Sequence, residues 1–467
     1  MDADQLALLP CARSFGMSLD DQCELHRLGI EGRFAELRER IPLLDRLAAE
    51  ERIDTAARIE DIGPLLMPHS AYKSYPLSLL ERGRFDQLTT WLNALTTVDL
   101  GSIDARGCDS IDDWIDFLDA ETPLRVVHST GTSGKLSFIP RSSVELKRQV
   151  LAYPRFFDKF RNEPQVMGGT PFEETYVLFP QYRKGAMTQH RLLDGFVEHV
   201  WKGDESHIVT LHPSRFSADV ASIGGRLLAA QSRGSSERVQ LPQKLAERRA
   251  AFIAEQERTS THLDTLLETL ATRLRGVKAT IIAHPGMMLD LAAKATARGL
   301  SGVFAPESFA MIGGGTKGRV LPEGWQQTVK EFLGVSRLRT GYGMTEMTRT
   351  CDRDCPAGHY HLPLSTVPFI VDPITGAQRP RSGVHTGRFG LFDLLASSYW
   401  GGFLTGDEVT VNFGDLEPCG CGRIGAYLLP SIRRFSESEA GSDDKISCAG
   451  APEAHDRAVD FIIRSSG

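Results

Sequence analysis

Three short runs in this 467-residue chain carry residue types suited to handling a nucleotide. The first is His128-Ser129-Thr130-Gly131-Thr132-Ser133-Gly134-Lys135, directly after the apolar run Leu124 to Val127. Glycines let a backbone approach a phosphate closely, hydroxyls and amides donate to its oxygens, and Lys135 adds a positive charge. It is not the common P-loop, which needs four residues between its glycines where this run has two. The second run is Thr340-Gly341-Tyr342-Gly343-Met344-Thr345-Glu346, in which Tyr342 can stack on a flat ring, Thr345 can donate to a phosphate and Glu346 can hold Mg²⁺. The third, Thr405-Gly406-Asp407, offers one carboxylate to two vicinal ribose hydroxyls. Taken alone, each is as readily an ordinary turn.

A different chemistry is suggested by cysteine placement, because Cys351, Cys355, Cys419, Cys421 and Cys448 all fall in the last quarter of the chain. Zinc takes four tetrahedral nitrogen or sulfur ligands, and a structural site draws close pairs from two segments. Cys355 with His359 or His361, plus Cys419 and Cys421, meets that description. Four core Cys and His side chains would give the same pattern. His128, His190 and His284 are candidate bases by position and equally good structural histidines.

The elements around these runs change character along the chain. Phe34, Leu37, Ile41, Leu44 and Leu47, then Ile62, Leu65 and Leu66, recur at helical spacing and predict a helical preamble over residues 1–120. From Leu124 short β-rich runs alternate with helices, at 124–128, 176–179, 277–283, 304–312 and 335–340, which predicts an α/β sheet. Leu263, Leu266, Leu267, Leu270 and Leu274 mark one face of a helix over about 243–275. After Pro363 the texture is strand, turn, strand, with β runs at 387–395 and 408–413, predicting a small antiparallel subdomain over 363–430. Residues 436–442 read as a linker.

Composition narrows the partners. Lys plus Arg number 53 against 60 Asp plus Glu, a balance of −7 that leaves no footprint for nucleic acid or an anionic membrane. No run approaches about 18 consecutive apolar residues, and the start lacks a signal-like pattern, so the expectation is a cytoplasmic protein with a small-molecule or protein partner.

The three runs in this order and spacing resemble the phosphate loop, the magnesium motif and the ribose aspartate of the adenylate-forming enzymes: acyl-CoA synthetases, adenylation domains and luciferases. The resemblance covers about residues 120–450. Gly313-Gly314-Gly315-Thr316-Lys317 resembles the adenine-side GG-x-K of acyl-protein synthetases. Cys355-Pro356-Ala357-Gly358-His359-Tyr360-His361 and Cys419-Gly420-Cys421-Gly422-Arg423 resemble elements of phenylacetate-CoA ligase-like proteins, whose Gly-x-x-His form favours His361. The implied fold is α/β: a large adenylate-forming domain of helix-covered sheets over 121–435 with an antiparallel β subdomain, then a hinge and very short tail at 436–467.

The resemblance implies activation of a small carboxylic acid by ATP and Mg²⁺ as an acyl adenylate, then transfer to an amine or thiol acceptor. CoA or a carrier protein would supply the thiol, and the Cys and His cluster would add a structural Zn²⁺ if it binds metal. A nucleotide-binding relative without catalysis is the other reading. Ser129, Thr130, Gly131, Thr132, Ser133, Gly134 and Lys135 would cradle phosphates, Thr345 would touch the α-phosphate and Glu346 would hold Mg²⁺. Asp407 would fix the ribose and the hinge-like Arg434 would reach ribose or phosphate, while Gly313, Gly314, Gly315, Lys317, Tyr342 and Gly343 would line the nucleotide. Phe179, Tyr182, His284, Met287, Met288 and Phe309 are the candidate acid pocket. Two departures stand out. The stretch after Lys445 contains no Lys to assist adenylation, leaving Lys135, Lys317 or Lys445 for that task. Ala440-Gly441-Ser442-Asp443 stands where acyl-protein synthetases carry an acyl-accepting Cys.

Overall fold

A computed structural model describes residues 1–129, 135–157, 170–232, 243–315, 319–352, 355–435, 458, 459 and 461. Among them, 1–129, 135–152 and 343–435 form one compact unit, and the others form a second.

In the first unit the short helices Ala3–Ala7 and Cys11–Phe15 lead into Leu19–Leu37 and Pro42–Glu50. The hydroxyl of Ser18 caps Leu19–Leu37 by accepting from the Asp21 amide at 3.2 Å. Pro42 begins the helix that follows, where its missing N–H costs nothing. The apolar stripe spans these two helices, and Phe34, Leu37, Ile41 and Leu44 all enter one buried cluster with Phe369, Phe392 and Trp400. Ile62 and Leu65 lie in the 3₁₀ segment Ile59–Leu65, which Gly63 and Pro64 keep from continuing as an α-helix. The Trp400 indole donates to the Leu65 carbonyl at 2.9 Å and pins that segment to the sheet.

In that sheet Thr366–Val371, Val384–Asp393, Gly402–Asn412, Tyr427–Leu428 and Tyr360–His361 lie adjacent in that order and antiparallel, while Met67–Pro68 pairs parallel with Gly402–Asn412. Gly402–Asn412 also takes Arg433–Arg434 as an antiparallel neighbour. The Asp372 carboxylate accepts the Ile374 and Thr375 amides at 2.9 and 2.8 Å, forming the expected turn. Gly402–Asn412 starts six residues before the predicted run, because Gly401-Gly402 interrupts the β-like texture. A side chain at 402 would meet the Trp400 indole at 2.7 Å, so the packing requires glycine there.

The second unit is a five-stranded sheet in spatial order Ile208–Arg215, Tyr176–Lys184, Ala279–Ala283, Phe309–Ile312, Leu338–Arg339, parallel throughout. Helices Ala218–Ser232, Pro285–Thr296 and Trp325–Leu333 connect its strands, as a parallel sheet demands. The predicted 304–312 strand is shorter because Pro306 lacks an N–H for the ladder. The predicted long helix is broken near Arg248 into Gln243–Glu247 and Arg249–Thr272, whose Leu266, Leu267 and Leu270 are buried on the sheet. A parallel sheet flanked by helices and a separate antiparallel sheet make this a mixed α/β protein. Among the described residues no helix is long and apolar enough to cross a membrane.

Candidate nucleotide and metal sites

In the first unit Val127–His128 pairs with Phe138–Ile139, and the Ser129 amide donates to the Ser137 carbonyl at 3.1 Å. Ser129 Oγ accepts from the Ser137 amide at 3.0 Å. Thr130, Gly131, Thr132, Ser133 and Gly134 lie outside the described residues. Lys135 donates to the Tyr75 carbonyl at 2.7 Å, with its ammonium 5.5 Å from the Tyr75 ring centroid. Partial burial and the neighbouring Lys73 hold its pKa below that of an ordinary lysine.

Arg141, fully buried, organises the segment bearing Thr345 and Glu346. Its guanidinium donates to the carbonyls of Thr345 at 2.8 Å and Met347 at 2.6 Å. The Tyr399 hydroxyl holds the carbonyl between them, that of Glu346, at 2.9 Å. Three consecutive carbonyls are thus fixed. The Glu346 side chain is buried, and burial pushes its pKa above the usual glutamate value against the opposing charges of His69, Arg434 and Arg141. A carboxylate made costly by burial gains most from a cation.

Asp407 and Arg434 stand directly opposite one another on paired strands, 3.1 Å apart. Asp407 is 5% exposed, and its amide is bound by Thr405 Oγ1 at 3.1 Å. Gly406 separates His69 from Arg434; a Cβ there would sit 3.4 Å from His69 and 3.5 Å from Arg434. Glu346, Asp407, Arg434 and His69 therefore share one electrostatic neighbourhood.

In the second unit Gly313, Gly314 and Gly315 follow the strand Phe309–Ile312. Gly314 has φ +82°, and a Cβ on it would meet the His284 ring at 2.5 Å. The same His284 lies 3.0 Å, through Nδ1, from the Gly313 carbonyl. Only glycine satisfies both constraints. Thr316 and Lys317 lie outside the described residues. Met287 is half-buried on the helix that His284 begins, and Met288 is fully buried. Phe179 packs edge-to-face on His190, Tyr182 stacks on His212, and Phe309 lies beneath the Arg339 guanidinium. Tyr342 is half-buried, and Gly343 begins the first unit's last segment, where a Cβ would meet Thr350 at 2.5 Å.

Cys355, His361, Cys419 and Cys421 present ligand atoms that all lie within 4.8 Å of one another. Cys355 and Cys419 sulfurs are 3.5 Å apart, and Cys421 Sγ lies 3.3 Å from His361 Nε2. These are close to the edges of a tetrahedron about an ion bound at roughly 2.0 to 2.3 Å. His359 instead stacks on Tyr427 with Nδ1 3.3 Å from Cys419 Sγ, beside the set. Burial pushes the Cys419 thiol up to about 12. Cys355 is buried too, but the Ala357 and His359 amides and the neighbouring thiols bring it below the usual cysteine value. Three sulfurs and one imidazole suit Zn²⁺ and leave no open position.

No family model and no curated protein matches the chain. Among solved structures, a 2-hydroxyisobutyryl-CoA ligase in an open conformation, bound to 2-HIB-AMP and CoA, matches with a TM-score of 0.50 at 13% identity, over 91% of this chain and 72% of its own. The fold is that of the adenylate-forming enzymes. MatB from Rhodopseudomonas palustris with ATP bound matches at TM-score 0.35 and 14% identity, over 67% of this chain and 48% of its own. A luciferase-like enzyme from the mealworm Zophobas morio matches at 0.32 and 11%, over 65% and 56%. The chain thus spans about half the length of these last two.

In this adenylate-forming fold, Arg141, Glu145, Asp393 and His69 were not singled out from sequence. Glu145 accepts the Ser142 amide at 2.7 Å and the Ser398 amide at 3.1 Å, and Asp393 accepts the Thr348 amide at 2.6 Å. The Asp393–Thr348 and Glu145–Ser398 contacts join residues 45 and 253 positions apart, which no local pattern reveals.

Proposed function

We propose that the chain activates a small carboxylic acid with ATP, forming an acyl adenylate and pyrophosphate. A carboxylate oxygen attacks the α-phosphorus, the bond to the bridging oxygen breaks, and pyrophosphate leaves with the electron pair. No covalent protein nucleophile is required; charge neutralisation and in-line alignment suffice. The observation that carries the reading is the buried Glu346 carboxylate held on an Arg141-anchored segment, with the Asp407–Arg434 pair in the same electrostatic neighbourhood.

Glu346 would hold Mg²⁺, which neutralises phosphate charge when bound. Ser129 and Lys135, with 130–134, would bind the β- and γ-phosphates, and Thr345 the α-phosphate. Asp407 would accept both ribose hydroxyls, Arg434 would orient its carboxylate, and Gly313 to Gly315 with Tyr342 would face the base. Phe179, His284, Met287 and Phe309 remain the proposed acid pocket, and 436–467 the proposed hinge and tail. The acceptor is an amine or a thiol, and likeness to a ligase that binds CoA supports the thiol arm.

Exchange of labelled pyrophosphate into ATP, across a panel of acids, tests the reading. Acid-dependent exchange is expected; its absence in folded protein that still binds ATP leaves a non-catalytic nucleotide binder. Asp407→Ala is expected to weaken ATP binding roughly tenfold to a hundredfold, since a carboxylate on two hydroxyls contributes about 1.5 to 3 kcal/mol. Unchanged affinity by calorimetry removes Asp407 from the site. Glu346→Gln keeps the shape and removes a buried charge, so the protein should fold while turnover falls on the order of a hundredfold. Equal exchange rates at saturating Mg²⁺ would contradict that role. Because burial raises the Glu346 pKa, exchange at low Mg²⁺ should fall at higher pH than an ordinary glutamate would dictate.

A further inference from the structure

A second cluster of metal-ligating side chains, sharing no residue with the sites above, lies within the parallel-sheet unit. Glu255 and His262 are seven residues apart on the helix Arg249–Thr272, which puts them two turns apart on one face. His212 comes from the edge strand Ile208–Arg215, against which that helix packs. His212 Nδ1 and His262 Nδ1 are 3.3 Å apart, and Glu255 Oε1 lies 3.7 and 3.8 Å from them.

We propose that His212, Glu255 and His262 form a binding site for a divalent transition-metal ion of the zinc and cobalt kind. The three separations define a triangle whose centre is about 2.1 Å from every corner, within the usual zinc–nitrogen and zinc–oxygen bond range. A hydrogen-bond relay would instead string the groups in a line, with one proton serving each link. The surroundings orient the donors as outer-shell groups of metal sites do. Tyr182 stacks on His212 with centroids 4.5 Å apart, and the Ser214 hydroxyl donates to Glu255 Oε1. Two imidazoles and a carboxylate leave a fourth position open, unlike the closed thiol cluster. The side chains are 10, 26 and 16% exposed, so water or a ligand can reach that position. Phe252 of the same helix packs in a cluster with Val220, Leu245 and Val459, so an ion here would brace the helix that the chain's last described residues touch.

The test is a metal count on full-length protein stripped with chelator and dialysed against Zn²⁺ or Co²⁺, with calorimetric titration. The wild type should take up one ion that depends on His262 and Glu255 and is retained in Cys421→Ser. His262→Ala and Glu255→Gln should each weaken that ion at least tenfold while leaving the thiol-bound one untouched. With Co²⁺ the His262-dependent ion should lack the intense thiolate charge-transfer absorption of the other. Unchanged stoichiometry and affinity in both variants overturns the proposal, as does a single ion lost only with Cys421→Ser. Should neither variant fold, carbethoxylation of the wild type read by peptide mass decides: Zn²⁺ must protect His212 and His262, and equal modification with and without it overturns the site.

Discussion

Cys421→Ser is expected to lose zinc and stability together. Among the described residues, its thiol, the His361 imidazole and the Cys355 and Cys419 thiols converge from two segments, Cys355 to His361 and Cys419 to Cys421. The backbone ladder nearest to them is the short pairing of Tyr360–His361 with Tyr427–Leu428, six residues beyond Cys421. An ion held by all four would add a tie worth far more than that ladder, because structural zinc binding is folding free energy. Even about 3 kcal/mol lost from a unit of this size lowers Tm by roughly 6 to 12 °C. Without metal, Cys419 keeps its proton at neutral pH, its thiol being pushed up to about 12 by burial, so binding must expel that proton. Zinc uptake should therefore release acid, and affinity should weaken as pH falls. Cys448→Ser, at a position outside the described residues, should change neither metal content nor Tm. Zinc far below one per chain in chelator-free, tag-free protein means these four residues are ordinary core groups.

How much of this was legible in the sequence depends on how local each feature is. Four strands of the parallel sheet were readable as short β-rich runs cut by Gly or Pro, whereas the edge strand Ile208–Arg215 was not, and the 124–128 run lies instead in the separate pairing of Val127–His128 with Phe138–Ile139. The strand-turn-strand region after Pro363 was readable because Asp372 and Gly376 make a turn from their own side chain and backbone. The candidate metal cluster was readable because cysteines are rare and clustered; preferring His361 over His359 needed the family resemblance, and the structure puts His361 within the cluster and His359 beside it. Strand ends were misplaced where one residue decides them, as at Pro306 and Gly402. Least visible were the buried charges. Arg141, Glu145 and Asp393 read as surface residues in a composition count, and only tertiary contacts reveal that Arg141 and Asp393 hold the backbone of residues 345–348 while Glu145 ties Ser142 to Ser398. The His212, Glu255 and His262 cluster was missed for the same reason, since its strand and helix members are about 50 residues apart.

Arg141 is where that hidden layer can be tested most sharply. Its three hydrogen bonds, to the Thr345 and Met347 carbonyls and at 3.0 Å to Gln149 Oε1, use the planar fork of a guanidinium. Gln149 in turn donates to the Thr348 carbonyl at 2.5 Å, so Arg141 holds Thr345 and Met347 directly and Thr348 through Gln149. Arg141→Met leaves those carbonyls without their donor in a dry interior, and the expected cost is about 3 to 5 kcal/mol. Arg141→Lys retains the charge but reaches only part of the fork, so it should fold and bind ATP while exchanging pyrophosphate more slowly. A fall in kcat with KM for ATP preserved marks a positioning role rather than lost nucleotide binding. The pH profile gives a second readout. The Arg141 charge lowers the Glu346 pKa against burial, so removing it in Arg141→Met must raise that pKa further. The acid limb of exchange at low Mg²⁺ should then move to higher pH in Arg141→Met and stay near its wild-type position in Arg141→Lys. Identical acid limbs in a folded Arg141→Met protein, with wild-type kcat in Arg141→Lys, would show that Arg141 supports the fold without setting the chemistry of Glu346.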